Sequence, residues 1–206
     1  SSSTPNSAAA PTNSQTTDSF PTVNTTLMQF DIIDGNRIRI DNFPSTYGNG
    51  ANKLIVAKEG GPVTGSPVDG TAYNADNDFG DGDTLGAGEF IVYNGTNPGS
   101  QYVRNLQPNT TYHFKVFEYN GSGTNTFYLT GLDENNNPVF ETSQSTISPP
   151  TTNSSAVFFN SKTSSSFNLN WTNGDGSERI LIARKETPVD VEPQDLNNYS
   201  SNSSFG

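Results

Sequence analysis

No stretch of the chain sustains the 3.6-residue apolar periodicity of a helix. Apolar side chains recur at every second position, in short runs broken by Gly, Pro and Asn. Alternate residues of an extended strand face opposite sides, so this pattern builds sheets and offers no amphipathic helix to cover them. The runs fall at 27–33, 37–43, 54–57, 89–93, 101–106 and 112–119, with Val139 and Phe140 closing the set. Asp34-Gly35 is a hairpin signal between the first two. Ile38 and Ile40 share a face, the 54–57 run is apolar throughout as in a buried strand, and 112–119 is the longest. Many short strands with turn signals between them predict an all-β sandwich or barrel.

Composition narrows this further. Hydrophobic residues make up 30% of the 206-residue chain. Even with the 19 glycines added, the fraction stays below the roughly 45–50% of globular domains. The cores must be small and the loops many. The 13 Phe and 8 Tyr nevertheless argue against disorder. A net charge of −11, with Lys and Arg unclustered, leaves no basic face for nucleic acid or an anionic membrane. It suits divalent cations. The absence of Cys excludes thiol catalysis and zinc–thiolate sites. No apolar run approaches the roughly 18 residues of a membrane span. Ser1 opens a polar tract without signal-peptide character, so the chain is expected to begin after processing or within something larger.

Residues 1–26 are rich in Ser, Thr, Pro, Asn and Ala and read as a linker or extended arm, docked on this chain or on a partner. Sliding the chain by 126 residues lays 53–80 on 179–206 without gaps, with 8 identities in 28 positions. Ala57, Pro62, Val63, Pro67, Asp69, Tyr73, Phe79 and Gly80 recur as Ala183, Pro188, Val189, Pro193, Asp195, Tyr199, Phe205 and Gly206. Leu54-Ile55-Val56 answers to Ile180-Leu181-Ile182. The expected organisation is a first domain over 27–147, a linker over 148–152, and the N-terminal half of a second domain over 153–206. Half a sandwich leaves a sheet face uncovered, so the natural protein is expected to continue.

Leu106, Pro108, Thr110 and Tyr112 stand in the spacing L-x-P-x-T-x-Y. This resembles the fibronectin type III segment before its sixth strand. The resemblance implies that the Tyr112 hydroxyl bonds back to upstream backbone as a tyrosine corner. Other segments resemble a variant of that domain found in secreted proteins of the Bacteroidota. They include Trp171 with Gly174 and Gly176, the paired Val56-Ala57-Lys58 and Ile182-Ala183-Arg184, and Pro67 with Asp69-Gly70 and Tyr73. Phe79-Gly80, 92–95 and 117–121 complete the set. The resemblance implies tandem fibronectin type III or immunoglobulin-like Greek-key sandwiches, a core role for Trp171, and type IX export to the cell surface. The first domain departs from it with Asn42-Phe43 in place of the Trp, and with an extra loop over 133–138 that reads as a contact loop.

Few residues suggest chemistry. His113 is the only His, sits on a strand between two aromatics, and points outward with no indicated partner. Asp76, Asp78, Asp81 and Asp83 form an acidic Gly-rich loop whose alternating oxygens could hold calcium, although the spacing is not that of an EF-hand and the repeat copy lacks the acids. Glu89 and Glu118 read as exposed strand acids rather than a glycosidase pair. Asp83-Thr84-Leu85 resembles the Bacteroidota O-glycan acceptor, with Thr84 as the modified residue; Asp18-Ser19-Phe20 matches less well. Asn94 and Asn109 begin N-x-[ST] triplets. Phe117 and Tyr119, opposite Phe114 and Val116, could stack on sugars or lie beneath a loop.

The expected function is a non-catalytic stalk or adhesive segment of a long extracellular or cell-surface protein. Its partners would be further repeats of the same polypeptide, other copies of itself, surface glycans or the secretion machinery. Alternatives are a carbohydrate-binding accessory module of a secreted hydrolase, and a filament subunit that self-assembles through its 1–26 arm by strand addition.

Overall fold

The computed structural model describes residues 19–41, 47–96, 99–194, 197, 199–202 and 204. Asn42 and Phe43, Asp18, and Asp195, Phe205 and Gly206 of the repeat lie outside them. The protein is all-β and divides into two units, 1–148 and 149–206.

The described residues of unit 1 contain nine strands: β1 (Gln29–Ile33), β2 (Ile38–Asp41), β3 (Asn52–Glu59), β4 (Thr84–Gly86), β5 (Glu89–Gly95), β6 (Gln101–Val103), β7 (Thr111–Asn120), β8 (Phe127–Tyr128) and β9 (Phe140–Ser145). One sheet has the order β1-β2-β6. The other runs β4-β5-β3-β7, with β8 and β9 both paired to β7. All these pairings are antiparallel. The Asp34-Gly35 turn joins β1 to β2, closed by the Asp34 N–H on the Arg37 carbonyl at 2.9 Å. Strands β4 and β8, of three and two residues, escaped the sequence reading.

The sheets pack face to face. Ile38, Ile40 and Val103 of the first meet Ile55, Ala57, Phe114 and Val116 of the second, all of them buried. This is a β-sandwich, with the alternation expected of paired sheets. The second sheet is buried on its other face too. Leu54, Val56, Ile91, Phe117 and Tyr119 pack there beneath Val63, Tyr73, Leu85 and Tyr128. That double cover explains why 54–57 is apolar throughout instead of alternating. It also corrects the sugar-stacking reading, because Phe117 is fully buried and Tyr119 nearly so.

The described part of the arm packs on unit 1. Phe20 contacts the Phe127 ring at 4.8 Å. Asn49 holds the N–H groups of Thr22 and Val23 at 2.9 Å each. The extra loop at 133–138 clamps the next residue: the buried Asp133 carboxylate accepts from Asn24 N–H at 3.1 Å and from the Asn135 and Asn137 N–H groups at 2.8 Å. The contacts of this loop are therefore with the chain's own arm.

Unit 2 contains β10 (Ser155–Asn160) and β11 (Asn168–Thr172), an antiparallel pair. Its only described sheet has two strands, and both faces are wet. Phe158, Phe159 and Trp171 are 55%, 51% and 41% exposed. The core role expected for Trp171 is not met; its ring N–H donates to Asn173 Oδ1 at 2.9 Å. A two-stranded ribbon has no second layer to bury an indole.

Candidate functional site

Three places in unit 1 concentrate polar side chains. The first is the tyrosine corner. The Tyr112 hydroxyl accepts the Gln107 N–H at 2.9 Å, and Leu106 is buried in the core while Pro108 is exposed. The hydroxyl sits where the L-x-P-x-T-x-Y spacing implied, and its work is structural.

The second is a pair of buried ion pairs, one on each face of the second sheet. Lys53 and Glu118 are register partners on β3 and β7, on the face turned to the first sheet. Their ion pair is 2.9 Å, with side chains 3% and 0% exposed. Glu118 also accepts from the Thr25 hydroxyl and from Gly50 N–H at 3.0 Å. A Cβ on Gly48, whose φ is +115°, would lie 2.2 Å from Glu118 Oε1, so only glycine fits there. Burial pushes the Glu118 carboxyl up, against the Thr25 hydroxyl and the Lys53 ammonium. On the other face Lys58 meets Glu89 at 2.9 Å. Glu89 further accepts from Thr64 N–H at 2.7 Å and Gly65 N–H at 2.8 Å. Burial works to raise this carboxyl, but the Thr64 and Gly65 N–H groups and Lys58 outweigh it and hold it at about 2. The expectation that Glu89 and Glu118 are exposed is thus corrected: they are 1% and 0% exposed. Each is saturated by fixed partners. Neither faces a cleft in which a proton could be passed to a substrate.

The third is the 74–83 segment with its groove. It bridges the two sheets at one edge of the sandwich. Asp76 N–H reaches the Ile91 carbonyl at 3.1 Å and Ile91 N–H the Asp83 carbonyl at 2.8 Å, both on β5. Arg104, just past β6, donates its N–H to Asn77 O at 2.8 Å and accepts from Phe79 N–H at 3.0 Å. Gly82 presses on β5 so closely that a Cβ would lie 2.1 Å from Ile91 O. Beside the bridge lies an open groove of about 390 Å³, lined by Asp76, Asn77, Tyr93, Asn94, Gln101 and Arg104 among others. Sequence reading missed Arg104, because only chain topology brings the end of β6 beside the acidic segment, where the Arg104 backbone bonds to Asn77 and Phe79.

The four acids of this segment do not converge. Asp76 accepts the Asp78 N–H at 2.9 Å, and Asp83 accepts the N–H and side-chain amide of Asn74 at 2.7 and 3.2 Å. Among the described residues no three His, Cys, Asp or Glu side chains are placed to hold a metal ion. The calcium site that the spacing of Asp76, Asp78, Asp81 and Asp83 suggested is thus not assembled here: Asp76 closes an Asx turn and Asp83 holds Asn74. His113 is half-buried, with Nδ1 3.8 Å from Glu141. Glu141 is itself occupied by the Val63 N–H at 2.9 Å, and Ser143 is the register partner of His113 on β9. Thr84 is exposed on the edge strand β4. Asn94 is committed to the Tyr73 carbonyl at 2.7 Å and to the Tyr119 hydroxyl, whereas Asn109 is exposed. No helix among the described residues is long and apolar enough to cross a membrane.

No family model matches the chain, and no curated protein does. Among solved structures, a computationally redesigned β-sandwich protein aligns at 16% identity with a TM-score of 0.34, covering 64% of this chain and 92% of its own. So distant a likeness carries no argument about function.

Proposed function

We propose that this chain is a non-catalytic stalk or adhesive segment of a long secreted or cell-surface bacterial protein, in which β-sandwich repeats set spacing and loops present contact surface. One observation carries the reading. Every buried carboxylate among the described residues of unit 1 is spent on the fold: Glu118 on Lys53, Glu89 on Lys58 and the 64–65 backbone, Asp133 on the arm. The buried charges lock strands and loops together. The resemblance to Bacteroidota fibronectin type III repeats supports the cell-surface setting and export by the type IX route. The tyrosine corner and the recurrence of 53–80 at 179–206 support the repeat.

The filament alternative needs the arm free to dock on a neighbouring copy. Its described residues, from 19 on, are engaged by their own domain, which favours the stalk. The test is the intact mass and electron-microscopic outline of the native protein isolated from its source. A very large, elongated molecule with bead-like repeats is the expected result. A compact protein dominated by an enzyme domain would overturn the reading.

A further inference from the structure

We infer that the groove beside the 74–83 bridge binds a neutral sugar unit within a polysaccharide chain. At about 390 Å³ it falls in the size range of small-ligand sites, but its lining is polar where such sites are usually apolar. A polar, hydroxyl-rich ligand fits that lining. The walls are fixed before any ligand arrives, because backbone hydrogen bonds of 2.8–3.1 Å tie the bridge to both sheets. A preformed site binds without first ordering its loops.

Two side chains set the ligand class. Arg104 is exposed, and no described residue engages its guanidinium in an ion pair or side-chain hydrogen bond. In a chain with 10 Lys and Arg against 21 Asp and Glu, such a cation stands out. Asp76 lies in the same lining, exposed, with one carboxylate oxygen on the Asp78 N–H and the other left as the acceptor. Adjacent hydroxyls of a pyranose can accept from a guanidinium and donate to a carboxylate at once, which an apolar ligand cannot. The two charges offset each other, and Asp78, Asp81 and Asp83 stand close by in the chain. The local field therefore repels acidic sugars. Tyr93 contributes aromatic surface for the C–H face of a ring. Its ring is partly buried against the core cluster, which holds it in place. An open groove rather than an enclosed pocket suits an internal unit of a long glycan.

The inference deepens the adhesive half of the proposed function and rests on it only for its biological sense. A single-unit site of this kind is expected to bind with a Kd of about 1 mM, and to gain strength in repeated copies. The test is an amide-shift titration of the full chain with cellohexaose, xylohexaose and mannohexaose, and with a tetragalacturonate as the acidic contrast. At least one neutral oligosaccharide should shift the amides of 75–77, 92–94 and 101–104. Arg104→Gln and Asp76→Asn should each weaken it tenfold or more. Both residues are exposed and keep their backbone hydrogen bonds in these variants, and unchanged shifts at Tyr112 and Val116 would verify the fold. The inference is overturned by no shift from any neutral sugar up to about 10 mM, by shifts confined to another surface, by binding of the acidic sugar alone, or by affinities that neither substitution alters. Failure here would leave the stalk reading untouched, whereas a compact native enzyme would overturn the stalk and leave sugar binding in place.

Discussion

Residues 53–73 and 179–199 share a sequence pattern and differ in almost everything the pattern is used for. In unit 1 the run Leu54-Ile55-Val56-Ala57 is wholly buried as the middle of β3, flanked by β5 and β7. In unit 2 Ile180, Leu181 and Ile182 are 53%, 65% and 39% exposed and belong to no strand. The cations that bracket the run follow suit. Lys53 and Lys58 are paired with the buried Glu118 and Glu89. Their counterparts Arg179 and Arg184 take nearby carbonyls and the exposed Asp190. One feature is the same in both copies. Tyr73 accepts the Val68 N–H at 3.1 Å, and Tyr199 accepts the Gln194 N–H at 2.8 Å, each five residues back. Contacts made within a few residues survive anywhere. Contacts that need a partner strand appear only where β5- and β7-like neighbours are present, and the described residues of unit 2 supply none. Burial, not local propensity, makes β3 a strand.

The comparison can be broken most forcefully at the ion pairs. Lys53→Ala leaves Glu118 buried and unpaired, and is expected to cost unit 1 about 3–5 kcal/mol. Arg179→Ala should stay within about 0.5 kcal/mol. Denaturant midpoints measure both, and equal effects would dissolve the distinction between the units. Next is the run itself. Ile55→Ala should cost about 2–5 kcal/mol and Leu181→Ala next to nothing, by the same measurement.

Acid sharpens the contrast between the two buried carboxylates. Glu89 is held at about 2, below its ordinary 4.5. A depressed carboxyl contributes its stability above pH 4.5 and loses it as the pH falls toward 2. The loss is on the order of 3 kcal/mol. Glu118 is raised, so protonating it relieves a penalty, and its contribution has the opposite slope. Stability measured from pH 6 to pH 2 should therefore decline less steeply in Glu89→Gln than in the parent, and at least as steeply in Glu118→Gln. A steeper acid decline in Glu89→Gln would contradict the assignment. The smallest effect is expected at the corner: Tyr112→Phe should cost about 1 kcal/mol, the net worth of one hydrogen bond, and shift the midpoint without changing the slope.

Much of unit 1 was legible because a sheet writes its two faces into alternate residues. Ile38 and Ile40, or Phe114 and Val116, need no partner to be recognised. The buried acids were hidden for the same reason a solvent-facing acid is ordinary, yet a signal was present. Glu118 has the parity of Tyr112, Phe114 and Val116, and Lys53 that of Ile55 and Ala57, so both had to point inward. The acidic 74–83 segment misled because spacing along a chain does not say where carboxylates aim; Asp76 and Asp83 turn theirs to their own loop. The groove was illegible, since it exists only where β5, β6 and that segment meet. Trp171 misled because a motif carries a core role only when a second layer exists to form the core.

Hydrogen exchange on the full chain at neutral pH tests the central claim most directly. Amides of 54–57 are expected to exchange only through global unfolding, and those of 180–183 near the free-chain rate, a difference of at least about a thousandfold. Comparable protection in the two runs would contradict it, because it would mean that 180–183 is paired in a sheet and that the repeat folds without the strands that cover it in unit 1.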